Sequence, residues 1–204
     1  MKKLVLGAMT ALAVVANGAS AQTTINFNDG SNGGAIGAFY AGVGVTFSNA
    51  RWDGFVSPSE GLVGASGLKL VSITSTFSNK SNEPIVADFS TALSSFSIYG
   101  LNVGDNGGRI EAYDAGGVLV GAAEFFGIGL GVNNHPLFSV SRAQGDIRQL
   151  RFFQPATLST EGMLWDNMSF TAANTTVPEP GTYALVAGGL IALAVVRRRH
   201  SAAA

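Results

Sequence analysis

What most constrains this chain is how often it is interrupted. Short β-prone runs are separated by clusters of Gly, Asn, Asp and Ser in a sequence with 27 glycines, and no stretch of the body sustains a helical period. Strand-length runs between such turn clusters are the mark of an all-β sandwich or barrel. The pattern predicts ten strands, over 24–27, 43–47, 68–73, 85–89, 93–99, 109–113, 118–123, 136–140, 147–153 and 163–170. Within 43–47 the two-residue period puts Val43, Val45 and Phe47 on one face; within 93–99, Phe96 and Ile98 alternate with Ser95, Ser97 and Tyr99. Asp114-Ala115-Gly116-Gly117 has the chemistry of a tight turn, so the strands on either side of it should form a hairpin. The expected fold class is a two-sheet antiparallel β-sandwich of the jelly-roll kind.

The sequence has no cysteine. Disulfides, thiolate metal sites and a cysteine nucleophile are thereby excluded, and the fold must rest on its core, with a hard cation as the one metal aid left open. Between residues 22 and 173 there are seven basic and twelve acidic side chains, a net of minus five. A body of that sign does not track phosphates, so nucleic acid is not an expected partner.

Both ends differ from the body. Met1-Lys2-Lys3, the apolar run 4–16 and Ala19-Ser20-Ala21 have the three parts of a secretory signal peptide, with cleavage expected before Gln22; the competing reading is an amino-terminal anchor. At the other end, Val177-Pro178-Glu179-Pro180-Gly181 should be an extended spacer, because each proline lacks a donor and disfavours helix in its predecessor. An uncharged run over 182–196 follows, closed by Arg197, Arg198 and Arg199. As a helix it would cover about 22–24 Å against a hydrocarbon core of about 30 Å, so by length alone it suits a buried core helix as well as a membrane helix. The arginine block favours the membrane reading: long stems snorkel to the interface and the charges stay on the cytoplasmic side. With a signal peptide at the front, both ends give the same topology.

This order of Pro-Glu-Pro, apolar helix and arginine-rich terminus resembles the bacterial PEP-CTERM sorting signal. The resemblance implies recognition by an exosortase, a membrane transpeptidase that cuts near the motif and passes its substrate towards the cell surface or biofilm matrix. Val177, Pro178, Glu179, Pro180 and Gly181 are the residues that match. The expected organisation is a signal peptide (1–21), a β-sandwich domain (22–173) and a sorting tail (174–204) with a transmembrane helix over 182–196. The tail speaks to sorting and leaves the body's activity open.

Within the body, Ile25-Asn26-Phe27-Asn28-Asp29, Gly44-Val45-Thr46-Phe47-Ser48, Ser97-Ile98-Tyr99-Gly100 and 165–170 are similar to jelly-roll carbohydrate-binding modules. That similarity implies adhesion or glycan binding, with polysaccharide as partner, and a structural calcium ion shared by Asp29 and Asp166. Hard oxygen ligands are what such an ion requires; a plain polar turn at 28–32 is the alternative. Arg51-Trp52-Asp53 is a candidate ligand cluster, Trp52 stacking on a sugar and Asp53 taking hydroxyls, unless Trp52 simply fills the sandwich edge. Catalytic sets are not evident: the body has one histidine, His135, and its Gly127–Gly131 run lacks dinucleotide-binding spacing. The expected function is a non-catalytic surface or matrix protein. A secreted glycoside hydrolase with paired carboxylates is the alternative, and a purely structural surface protein is a third.

Overall fold

The computed structural model describes residues 21–54, 67–72, 83–126, 135–158, 162–173, 186, 188–190 and 193. Among these residues ten strands run in the order β1 Gln22–Ile25, β2 Val45–Ser48, β3 Ala50–Asp53, β4 Lys69–Ser72, β5 Ile85–Leu101, β6 Gly108–Tyr113, β7 Leu119–Phe125, β8 Leu137–Ser141, β9 Ile147–Phe153 and β10 Leu164–Ala172. A short 3₁₀ turn, Ala41–Val43, precedes β2. Every pairing between strands is antiparallel. The body is therefore an all-β antiparallel fold, as its interrupted, alternating sequence predicts.

The 17-residue β5 organises the sheet. Its first part pairs with β2 and β9, and its second part with β10 and β8. The ladder accordingly runs through all ten strands as one sheet, with the path β3-β4-β10-β5-β9-β6-β7. The sequence divides this strand into two, at 85–89 and 93–99. Ser90, Thr91 and Ala92 carry little strand signal, yet β2 ends its pairing at Phe89 and the Ser90 N–H still donates to the Gly44 carbonyl at 3.0 Å. Pairing with β9 breaks register between Asp88 and Leu93, so the strand bends there without stopping.

A second difference is β3, which the sequence reading leaves as a loop cluster. Ala50 and Trp52 are buried and Arg51 and Asp53 half-buried, the alternation of a strand with one covered face. Backbone bonds from both sides hold it: Ala50–Asp53 pairs with Lys69–Ser72, and the 33–36 segment bonds its other edge through Gly33 N–H to Trp52 O at 2.8 Å and Trp52 N–H to Gly34 O at 3.0 Å.

The core is rich in rings. Trp165, 2% exposed, meets Phe138 and Phe152 edge-on at centroid distances of 5.0 and 5.4 Å. Phe96 packs on Phe152, and Phe89 on Phe170, so rings from the two parts of β5 reach partners on different strands. At one end Phe27, Tyr40, Phe47 and Trp52 make a second group of edge contacts. Burying such side chains stabilises by about 1.5–3 kcal/mol each, which a fold without disulfides must accumulate from its core.

Residues Ala19–Asn174 form one compact unit, and Met1–Gly18 with Thr175–Ala204 form another. In the second unit Val186, 188–190 and Leu193 are helical and exposed. Among the described residues no helix is long and apolar enough to cross a membrane. The signal region apart from Ala21, the Val177-Pro178-Glu179-Pro180-Gly181 motif, Arg197–Arg199 and Gly127–Gly131 lie outside the described residues.

Candidate functional site

The loop from Asn28 to Gly34 is clamped onto β3 and β4. The Leu68 N–H donates to Asn28 Oδ1 at 2.9 Å and the Gly54 N–H to Asn32 Oδ1 at 2.8 Å. Gly30 lies so close to Trp52 that a Cβ there would sit 2.1 Å from the indole, and only a residue without one fits. Trp52 itself is 4% exposed, with Phe39 edge-on at 4.9 Å and Tyr40 at 6.4 Å. So little exposure fits the edge-filling alternative to its candidate role as a sugar-stacking platform, and the indole holds the loop against the sheet. Asp53 is half-buried and accepts from Arg51 at 2.9 Å, so its carboxylate is engaged within its own strand.

Asp29 is exposed on this loop, whereas Asp166, 137 positions later in β10, is 1% exposed. Both charges act on the same group. Burial raises the Tyr40 hydroxyl above its ordinary value, the neighbouring Trp52 indole lowers it, and Asp29 and then Asp166 raise it further. Neither Tyr40 Oη nor Trp52 Nε1 has a hydrogen-bond partner among the described residues. Asp166 Oδ1 accepts from the Asn167 N–H at 2.7 Å; Asn167 has φ 51° and sits where β10 slips register against β5. Among the described residues there is no group of three or more His, Cys, Asp or Glu side chains able to hold a metal.

A different feature escaped the sequence reading. On the sheet formed by the first part of β5 with β9 and β6, an open groove of about 350 Å³ is lined by Asp88, Tyr113, Asp114, Arg148, Gln149 and Arg151, among others. Strand register assembles it: Gln149 is opposite Asp88 on one side and Tyr113 on the other. Gln149 Nε2 donates to Asp88 Oδ1 at 2.8 Å, and Arg151 Nε donates to Gln149 Oε1 at 2.9 Å. The Arg151 guanidinium lies 4.5 Å from the centre of the Tyr113 ring, and the Tyr113 hydroxyl donates to Glu111 at 2.6 Å. Asp114 Oδ1 accepts the N–H groups of Gly116 and Val118, both at 2.9 Å, and so shapes the β6–β7 turn that forms one rim. The sequence signal for this face is the outward run of Arg148, Gln149 and Arg151 in a strand whose inward positions are apolar.

Beside the groove, Arg109 bonds both Glu111, at 2.9 Å, and Glu124. Burial alone would raise the Glu111 carboxyl, but hydrogen bonds from Tyr113 and Arg109 outweigh it and hold the group below its ordinary value. A general acid for glycoside hydrolysis needs the opposite shift, so Glu111 is poorly suited to that part. Because its folded value is depressed, Glu111 contributes stability that is full above the ordinary value of about 4.3 and is lost as pH falls through the folded value. Unfolding midpoints measured from about pH 6 down to about pH 3 should therefore converge for the native chain and Glu111→Gln, the native chain losing more.

Comparison with solved structures gives distant likenesses. The K2 cleaved adhesin domain of Lys-gingipain is 16% identical, with 75% of this chain and 99% of that one covered at a TM-score of 0.49. The K1 cleaved adhesin domain of Lys-gingipain from Porphyromonas gingivalis is 12% identical, with coverage of 76% and 99% and a TM-score of 0.43. The CsCBM6-3 module from Clostridium stercorarium, solved in complex with cellobiose, is 11% identical, with coverage of 74% and 94% and a TM-score of 0.37. At such values nothing about the ligand of this chain follows from them. No curated protein matches the chain in sequence. The carboxyl end is specific: residues 176–199 match the PEP-CTERM protein-sorting motif, and the chain thus carries the tail of an exported protein sorted to the cell surface.

Proposed function

We propose that this chain is a non-catalytic protein of the cell surface or extracellular, biofilm-type matrix, whose β domain binds glycans and whose tail is cut by an exosortase. The single observation that carries the proposal is the sorting motif at 176–199, joined in sequence to an apolar run and three arginines. In this reading residues 1–21 are a removed signal peptide and 22–173 a jelly-roll-like, two-layered β domain. The run 182–196 is a transmembrane helix that Arg197, Arg198 and Arg199 hold on the cytoplasmic side until processing. What supports glycan binding is the groove on β5, β6 and β9, where amide, carboxylate, guanidinium and phenol groups converge at a volume within the small-ligand range. Trp52 is buried and Asp53 is half-buried and paired with Arg51, which favours the groove over this cluster as the ligand surface.

Calcium belongs to the same proposal. Asp29 and Asp166 act on one buried hydroxyl, Tyr40 Oη, which lacks a hydrogen-bond partner among the described residues. Two carboxylates are hard donors that suit this ion, whose role would be to tie the 28–34 loop to β10. A ligand that binds only the folded state at a hundredfold excess over its Kd stabilises by about 2.7 kcal/mol, or about 5–10 °C for a chain of this size. Thermal unfolding of the full chain in mild detergent should show such a rise with calcium, its loss with chelator or in Asp29→Asn, and a further rise with a polysaccharide. Midpoints that ignore calcium would remove the metal site; midpoints that ignore every polysaccharide would leave a purely structural surface protein.

A further inference from the structure

Five arginines lie among the described residues, and four of them are engaged. Arg51 pairs with Asp53, Arg109 with Glu111 and Glu124, and Arg142 with Asp146, while Arg151 is held by Gln149 and the Tyr113 ring. Arg148 differs: it is half-buried, lines the groove, and has no hydrogen-bond or ion-pair partner among the described residues. A guanidinium keeps its charge at any physiological pH and presents a planar fork of donors. The two carboxylates of the groove are already directed elsewhere, Asp88 to Gln149 and Asp114 into its own turn. Arg148 therefore lines the groove without an anionic partner among the described residues.

We infer that the groove takes a carboxylate-bearing sugar unit of a polysaccharide, a uronic acid, with Arg148 as the residue that selects its charge. The sugar carboxylate receives the paired N–H donors of Arg148, an arrangement stronger than neutral hydrogen bonds and fixed in geometry. Sugar hydroxyls have the remaining donors and acceptors of Gln149, Asp88 and Asp114 within the same groove. A single negative charge is favoured over a doubly charged phosphate because Asp88 and Asp114 line the same walls, and the acidic body disfavours nucleic acid for the same reason. This inference rests on the glycan-binding reading and narrows it to one chemical class.

The test is calorimetric titration of the full chain in mild detergent with three short oligosaccharides: oligogalacturonate, its methyl ester, and a sulfated oligosaccharide without carboxyl groups. Oligogalacturonate should bind about tenfold or more tightly than its ester, the scale of one charge-assisted pair. Arg148→Gln should remove that preference, weakening the acid about tenfold more than the ester, and Arg148→Lys should retain part of it. A variant that had merely lost its fold would weaken acid and ester alike and lower the thermal midpoint. Equal binding of acid and ester by the native chain would overturn the uronate assignment and leave glycan binding intact; tighter binding of the sulfated oligosaccharide would overturn it in favour of a sulfate ligand. Absence of binding to all three, with other polysaccharides also inert, would remove the glycan reading itself and this inference with it.

Discussion

Trp165→Ala is expected to lower the stability of the β domain by about 3–5 kcal/mol, the scale of removing a large buried ring from a core that cannot collapse around the gap. The local geometry explains why collapse is resisted. Trp165 is opposite Gly100 on β5 and Leu70 on β4, and its ring is wedged between Phe138 of β8 and Phe152 of β9. Around it Gly100 and Gly108 are already so tight that an added Cβ would lie 2.6 and 2.7 Å from Phe138. The backbone is thus as close as it can come, and an alanine at 165 leaves a void bounded by rigid rings and paired strands. Single domains are stable by only about 5–15 kcal/mol, so this one change removes a large share of the total. Chemical denaturation of the full chain in mild detergent measures it, with Leu119→Ala, at a residue 48% exposed on β7, as the control expected to move by about 0.5 kcal/mol or less. A loss below about 1 kcal/mol for Trp165→Ala would mean that the ring cluster does not anchor the fold.

How far the fold was legible follows from which signals are local. β9 stands at 147–153 in both the sequence reading and the structure, because its apolar positions and the flanking turn residues are all within one short stretch. The β6–β7 hairpin is equally local: Asp114 makes the turn with its own side chain, Gly117 takes φ 77°, and the strands pair from Gly108 opposite Phe125 onwards. β3 was hidden because Arg51 and Asp53 read as polar loop residues. Their strand conformation is imposed from a distance, by Lys69–Ser72 on one side and the 33–36 segment on the other. The same limit applies to the groove. Asp88, Tyr113 and Gln149 are ordinary outward positions on three separate strands, and only the register that sets Gln149 between the other two makes a site of them. Trp52 reads two ways in sequence for a related reason: an aromatic beside two charges fits an exposed platform as well as an edge filler, and only the distant Gly30, 22 positions earlier, gives its indole a place to be buried.

Replacing Pro178, Glu179 and Pro180 together with alanine should leave export intact and stop processing, so that full-length protein accumulates in the membrane fraction. Residues 1–21, the proposed signal peptide, and the β domain are untouched by the change, and the compact unit Ala19–Asn174 ends before the motif. Export and folding therefore have no reason to fail. Recognition does, on the proposed reading: two prolines disfavour helix in a spacer, and Glu179 supplies one carboxylate before the apolar run. Three alanines would favour helix over 178–180 and remove that charge. Deleting Arg197, Arg198 and Arg199 separates the two roles of the tail. The motif would remain, but a run that falls short of the hydrocarbon thickness would lose its charged stop, and protein should leak past the membrane without being cut. Pulse labelling followed by fractionation reads both outcomes. Normal processing of the alanine variant would overturn the role of the motif as the sorting signal, and unchanged membrane retention without the arginines would show that the apolar run holds the chain by itself.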